Sequence, residues 1–333
     1  MAQAIRIHGY GGPEVMRLEE MPTPVPGAGQ ALVRVRAASV NFIDIQKRRG
    51  QLVGQASYRQ RAGGGLGEPD LPAMMGSQGV GVVEALGPEV DGVRVGDRVS
   101  FWGSSYTTHG VLPAARLIRI PEGISFEQAA AGMNQGFLAY VFTHFTYPVK
   151  QGDWCLIQAA AGGIGLLLCQ MAKIRGGRVI GVTSTEEKAK YVREAGADEI
   201  IISKQADIAK EARCITGGRG VSVVYDGVGK DTFEANLDSL APAGYLVVFG
   251  QSSGYVPPFD LMILQEKGSL FLTRANGLPY VREYPRYLEQ FVTWVQQGRL
   301  SIRIARTYPL AEAAQAHAAL EQRQVSGRVL LLP

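Results

Sequence analysis

The stretch that most restricts what this chain can fold into covers residues 154–198. Residues 154–158 (WCLIQ) read as a short strand, 159–165 (AAAGGIG) as a small-residue turn, 166–175 as an apolar helix and 178–183 as a second strand. That order is the first βαβ unit of a dinucleotide-binding domain. Small residues let the backbone approach a pyrophosphate, and the N–H groups at the helix start lie on the positive end of its dipole. The fingerprint is incomplete, because Ala160 stands where the first of three glycines is expected, ahead of Gly162 and Gly165. An isolated match of this kind could equally be an ordinary turn; the flanking strands and helix favour the nucleotide reading.

After the second strand an NAD-binding unit places Asp or Glu to accept from the ribose 2′-hydroxyl. This chain has Thr183-Ser184-Thr185 there, with Lys188 just beyond. Hydroxyls and a cation suit a 2′-phosphate, so the expected cofactor is NADPH. Taken alone, Lys188 reads just as well as a solvated helix lysine.

A length of 333 residues suits two domains rather than one core. The formal net charge is only +4, and no run of Lys or Arg marks a nucleic-acid or membrane-binding face. The N-terminal residues lack a signal-peptide pattern and no apolar stretch has membrane-spanning length, so a cytoplasmic location is expected. Cys155, Cys169 and Cys214 form no C-x-x-C pair. Neither a disulfide framework nor a cysteine zinc site is indicated, and buried, inert thiols are expected.

Residues 4–120 read as short strands, among them 31–38, 79–86 and 98–101, punctuated by Gly and Pro. They predict an antiparallel, barrel-like domain. Residues 50–72 break the pattern and read as a long mobile loop, with Arg59 and Arg61 as elements of a lid or of a plain surface insertion. Ser125 is a helix N-cap with Glu127 and Gln128 in the first turn. Beyond Gly165, strands at 199–202, 221–226, 245–249 and 269–272 alternate with helices such as 231–240. They predict a parallel sheet covered on both faces. Helices at 287–297 and 311–322 and a closing strand at 328–332 do not continue the repeat. The expected domains are therefore residues 1–126 with 280–333, and residues 127–279.

Several stretches together carry a family resemblance: Gly11-Gly12-Pro13-Glu14-Val15, Asn41-Phe42-Ile43-Asp44, Val95-Gly96-Asp97-Arg98-Val99, the turn at 159–165, Tyr225-Asp226-Gly227-Val228-Gly229, Phe249-Gly250-Gln251-Ser252-Ser253-Gly254 and Lys267-Gly268-Ser269-Leu270. Nearly the whole chain resembles the zinc-independent quinone oxidoreductase branch of the medium-chain dehydrogenase/reductase superfamily. The fold implied is α/β plus β: a GroES-like barrel catalytic domain with an inserted Rossmann domain, a doubly wound parallel sheet. By the same resemblance Gly162, Gly163 and Ile164 would contact the pyrophosphate, and Ser184, Lys188 and Arg323 the 2′-phosphate. Ser203 would lie beside the adenine ribose, in place of a tyrosine common in the branch. Phe249, Gly250 and Ser252 would sit by the nicotinamide half, met from the barrel by Asn41, Phe42 and Ile43.

Zinc-dependent members of the superfamily carry Cys where this chain has Asn41 and His where it has Ser77, so the resemblance implies no zinc. The implied reaction is metal-free hydride transfer from NADPH to a quinone. Reduction of an enone C=C bond would use the same slot, and a crystallin-like, non-catalytic NADPH-binding protein is the rival of another class. Asn41 and Gln46 are the candidate donors to an acceptor oxygen, each equally readable as a loop-pinning amide. Gln46 replaces a tyrosine frequent in the branch. Tyr106 is a third candidate, packed with its hydroxyl at the cleft. The strand at 269–273 is where the branch pairs sheets edge to edge into a homodimer.

Overall fold

The computed structural model describes residues 1–51 and 71–333. Most of the expected loop at 50–72, with Arg59 and Arg61, lies outside the described residues. The chain divides into two compact units, Met1–Asn134 with Ile304–Pro333, and Gln135–Arg303. This division differs from the expected one at two places. It falls within the helix Phe126–Val141 rather than at its start, and it keeps residues 280–303 with the inserted unit. The second difference has a packing cause: the helix Tyr284–Gln296 buries Tyr284, Tyr287 and Trp294, whose rings meet Phe137 and Tyr140 at centroid distances of 4.6–6.3 Å.

The first unit is built from β1 (Ala2–Ile7), β2 (Met16–Met21), β3 (Gln30–Val40), β4 (Ala73–Met74), β5 (Gln78–Leu86), β6 (Arg98–Trp102), β7 (His109–Pro113) and β8 (Ile118–Arg119). One sheet runs β2-β1-β4, and a larger one contains β3-β5-β6-β8 with β7 also on β3, all antiparallel. Alternation places Val33, Val35, Val83, Val99 and Phe101 in one core cluster while Arg34 and Arg36 face out. A second cluster gathers Ile5, Ile7, Val40, Met75, Tyr106 and Leu331. The helix Phe126–Val141 opens as expected: Ser125 Oγ accepts from Gln128 N, and Gln128 Oε1 accepts from Ser125 N.

The inserted unit holds β9 (Trp154–Ile157), β10 (Arg178–Thr183), β11 (Glu199–Ile202), β12 (Val221–Asp226), β13 (Leu240–Val248) and β14 (Phe271–Arg274). They form one parallel sheet in the order β11-β10-β9-β12-β13-β14. The winding reverses between β9 and β12, the switch point at which doubly wound sheets bind ligands. β14 starts later than the expected 269–272, because Gly268 and Ser269 take positive φ (+111° and +56°) and turn the chain before it pairs with β13. Cys155 and Cys169 are buried, but Cys214 is exposed, contrary to expectation. On its helix, Ile208–Ile215, the core takes Ala212 and Ile215 and leaves Cys214 outside.

β15 (Ile304–Pro309) and β16 (Arg328–Leu332) return to the first unit. β16 lies antiparallel to β3, and β15 adds to it in parallel, so the larger sheet is not purely antiparallel. No helix among the described residues is long and apolar enough to cross a membrane.

Candidate functional site

In the inserted unit the predicted phosphate turn joins β9 to the helix Gly163–Ile174. Gly162 is the N-cap and makes no side-chain cap bond, while Leu166 N donates back to Gly162 O at 3.0 Å. The amides of Gly163, Ile164 and Gly165 thus precede the first intrahelical bond, and those of Gly163 and Ile164 are available to an anion. Residues 162–164 are half-buried, whereas residues 165–169 are fully covered. A Cβ on Gly165 would lie 2.6 Å from the carbonyl oxygens of both Ala159 and Ala160. Its absence lets the helix start press onto the turn. Ala159 itself has φ +49°. A left-handed alanine is unfavourable by roughly 1–2 kcal/mol, a local strain with no sequence signal.

The other expected cofactor residues of this unit sit at the same carboxyl edge. Ser184 follows β10 and is half-buried; Thr185 caps the next helix, its Oγ1 accepting from Lys188 N at 3.4 Å. Lys188 is half-buried one turn on, and Ser203 is exposed after β11, its N–H bonded to Thr183 O at 2.8 Å. Phe249 and Gly250 leave β13, with both N–H groups on Asp226 O, and Ser252 N donates to Gly227 O at 3.2 Å. A Cβ on Gly250 would come within 2.4 Å of Gly227 O, so this glycine has a packing role between two loops. The Asp226 carboxylate fixes the first of these loops by accepting from Val228 N, Gly229 N and Thr232 Oγ1 at 2.7–3.1 Å. Phe249 stacks on Phe142 at 5.4 Å.

In the first unit the structure brings together a buried polar cluster that sequence reading caught only in part. Asn41 caps the helix Phe42–Arg48, its N–H donating to Asp44 Oδ2 at 2.9 Å. Its side chain is 7% exposed; Oδ1 accepts from Arg328 Nη2 at 2.8 Å and Nδ2 donates to Ser77 Oγ at 3.0 Å. Gln78 Nε2 in turn donates to Ala130 O at 2.9 Å. Phe42, Ile43 and Gln46 are half-buried on the same helix, and no side-chain hydrogen bond engages Gln46 among the described residues. Arg323, with φ +55°, is exposed just before β16.

Tyr106 is fully buried rather than placed with its hydroxyl at a cleft. The hydroxyl lies 3.3 Å from Asp44 Oδ2 and 3.0 Å from His317 Nε2. His317 Nδ1 meets Arg48 Nη1 at 3.1 Å, and Arg48 pairs with Glu321. Burial pushes the Asp44 carboxyl up to about 6 and, with help from Arg48, holds the His317 imidazole down at about 3. Burial likewise lowers Arg328 to about 10. The one signal for this cluster in the sequence is the N-x-x-D spacing of Asn41 and Asp44, a capping box; Ser77, Arg48, His317 and Arg328 come from distant segments.

This donor set does not fit a zinc ion. At the two positions where zinc enzymes carry Cys and His stand an amide and a hydroxyl bonded to each other, with a guanidinium on the amide oxygen. Among the described residues no three His, Cys, Asp or Glu side chains converge elsewhere.

Residues 27–140 match the family model for the alcohol dehydrogenase GroES-like domain and residues 163–293 that for zinc-binding dehydrogenase. A quinone oxidoreductase of Pseudomonas aeruginosa is 39% identical over 100% of both chains. A 2-haloacrylate reductase of a Burkholderia species is 37% identical over 100% of this chain and 99% of its own. The crystal structure of Escherichia coli quinone oxidoreductase complexed with NADPH superposes with a TM-score of 0.91 at 35% identity, covering 99% of this chain and 100% of that one. On sequence and architecture alike, the chain belongs to the quinone oxidoreductase branch of the medium-chain dehydrogenase/reductase superfamily.

Proposed function

We infer that the protein is an NADPH-dependent oxidoreductase that reduces quinones without a metal ion. The observation that carries this reading is the uncapped glycine turn at the switch point, with hydroxyl and lysine, not a carboxylate, after β10. Gly163 and Ile164 would hold the pyrophosphate by backbone amides, with Gly162, whose own N–H donates to Ala159 O at 2.8 Å, giving close backbone approach; Ser184 and Lys188 would hold the 2′-phosphate, with Ser203 beside the adenine ribose. Phe249, Gly250 and Ser252 would flank the nicotinamide. The assignments of Phe42, Ile43 and Arg323 to the cofactor rest on the resemblance alone. Bound NADPH supplies the hydride; the chain's own residues orient the acceptor and exclude water.

Without zinc, negative charge growing on a ketone oxygen lacks a strong stabiliser, whereas a quinone spreads it by conjugation. Gln46, with an unengaged amide, is the donor offered to an acceptor oxygen, whereas Asn41 directs Nδ2 to Ser77 Oγ at 3.0 Å and Gln78 Oε1 at 3.5 Å and fits the loop-pinning reading. The relative named 2-haloacrylate reductase favours a second reading, reduction of an activated C=C bond. Stopped-flow mixing of the enzyme and NADPH with 1,4-benzoquinone tests the first reading; oxidation of NADPH is expected, and its absence with every quinone tried would refute it. Product analysis with a simple enone separates the two. We also propose a homodimer through β14, which is the end strand of its sheet with Phe271 half exposed.

A further inference from the structure

We propose that Lys204 is a second cation for the 2′-phosphate of NADPH, reaching it from the strand beside the one that leads to Ser184 and Lys188. The inference rests on the placement of that phosphate after β10 proposed above. A phosphate monoester carries a charge of about −1.5 to −2 at neutral pH. Lys188 balances only part of it, so a site that prefers the phosphate to a hydroxyl gains from another positive charge close by.

The helix start after β10 does not supply that charge. Thr185 Oγ1 already accepts the Lys188 N–H at 3.4 Å, and Glu186 and Glu187 occupy the first turn. Both carboxylates offset the positive end of the helix dipole for an incoming anion. Glu186 is turned along the helix to Arg193 Nη2 at 3.6 Å. Lys190 stands two positions past Lys188 and faces another side of the helix. Within the inserted unit a further cation has to come from a neighbouring strand.

β11 is that neighbour. It pairs with β10 in parallel, Thr183 opposite Ile202, so Ser184 and Ser203 leave the two strands side by side at the carboxyl edge. Neighbouring strands lie about 4.8 Å apart, within the reach of a lysine stem. Ser203 N donates to Thr183 O at 2.8 Å, and Gln205 N and Ala206 N donate to Ile202 O at 2.9 and 3.2 Å. Lys204 thus sits in a turn that is itself bonded to the end of β10. Its side chain is exposed and makes no ion pair or hydrogen bond among the described residues. Lys173 and Lys267, by contrast, are committed to Asp198 and Asp238. In a doubly wound unit the ribose 2′ substituent lies beyond the second strand, which here is the edge where β10 and β11 end together. A lysine meets phosphate as a point charge on a flexible stem, so no fixed fork geometry is required of it.

The experiment uses the full chain and titrates NADPH, NADH, adenosine 2′,5′-bisphosphate and 5′-AMP by fluorescence and displacement. It compares wild type with Lys204→Gln, Lys204→Arg, Lys188→Ala and Lys150→Gln, the last removing one exposed charge just before β9, at the opposite edge of the sheet. Lys204→Gln should weaken NADPH and the bisphosphate about fivefold and leave NADH and 5′-AMP unchanged. The loss should shrink at high salt, and Lys204→Arg and Lys150→Gln should bind as wild type does. Lys204→Gln with the wild-type Kd for NADPH, an equal loss for NADH, or an equal loss in Lys150→Gln overturns the inference, while a selective loss in Lys188→Ala keeps the phosphate where it was placed. Lys188→Ala without a selective loss overturns that placement and the inference with it.

Discussion

Replacing Arg48 by Met keeps the aliphatic stem and removes the guanidinium at the centre of the buried cluster. Arg48 is 0% exposed and donates to Gly11 O at 3.2 Å, to His317 Nδ1 at 3.1 Å and to Glu321. Gly11 is half exposed and can turn to water, and Glu321 keeps Arg49 at 2.9 Å. His317 has no such recourse, and an orphaned buried acceptor costs about 1–3 kcal/mol. With the weakened Glu321 pair the total is about 3–5 kcal/mol, the range for breaking a buried ion pair.

The loss should also depend on pH. His317 is held at about 3 against an ordinary 6.5, so its contribution is present above pH 6.5 and is lost as pH falls toward 3. Without Arg48 beside it the folded imidazole titrates higher, and the variant loses less on acidification. The gap between wild type and variant should therefore narrow from pH 7.5 to about 5. Asp44 acts in the opposite sense, favouring the fold below 3.8 and losing that effect as pH rises through about 6, but it does so in both proteins. Urea unfolding monitored by hydrogen exchange at β3 and β16 reports this unit alone. A loss below about 1 kcal/mol, against the range expected for such a pair, or a gap that widens in acid, would refute the reasoning.

Lys188→Ala should raise the Kd for NADPH about tenfold, equivalent to about 1.4 kcal/mol, and leave NADH binding unchanged; an equal loss for both dinucleotides in a fluorescence titration would remove Lys188 from the 2′-phosphate. Phe271→Arg on β14, where the ring stacks on Tyr245 at 4.5 Å, should convert the proposed dimer to a monomer by light scattering, and an unaltered mass would count against that edge. A thiol reagent should label Cys214 alone in the native protein and all three cysteines in denaturant, since Cys155 and Cys169 are 0% exposed and burial pushes the Cys169 thiol up to about 12. Fast native labelling of a second thiol would contradict this burial.

The inserted unit was legible because its signals are local. A strand, a small-residue turn and an apolar helix adjoin in sequence, and β10, β11 and β12 begin and end where the apolar runs do. The barrel cluster was not, because its members lie far apart: Arg328 is 287 residues from Asn41, and His317 is 269 from Arg48. No periodicity links such residues, and a buried arginine reads like any surface arginine until its neighbours are known. The expected boundary at residue 280 differs from the division at Arg303 for a related reason. The aromatic positions Tyr284, Tyr287 and Trp294 declare an amphipathic helix, but only the opposing Phe137 and Tyr140 say which core receives it.

β16 completes a sheet whose other partner, β3, was made some three hundred residues earlier: Val329 pairs with Val40. During synthesis the inserted unit, residues 135–303, emerges whole before that pairing can form. The outer unit must wait, with the apolar edge of β3 unpaired on that side, until residues 328–332 have been synthesised. Removing β16 would therefore strand the barrel at its half-built stage while leaving the inserted sheet intact.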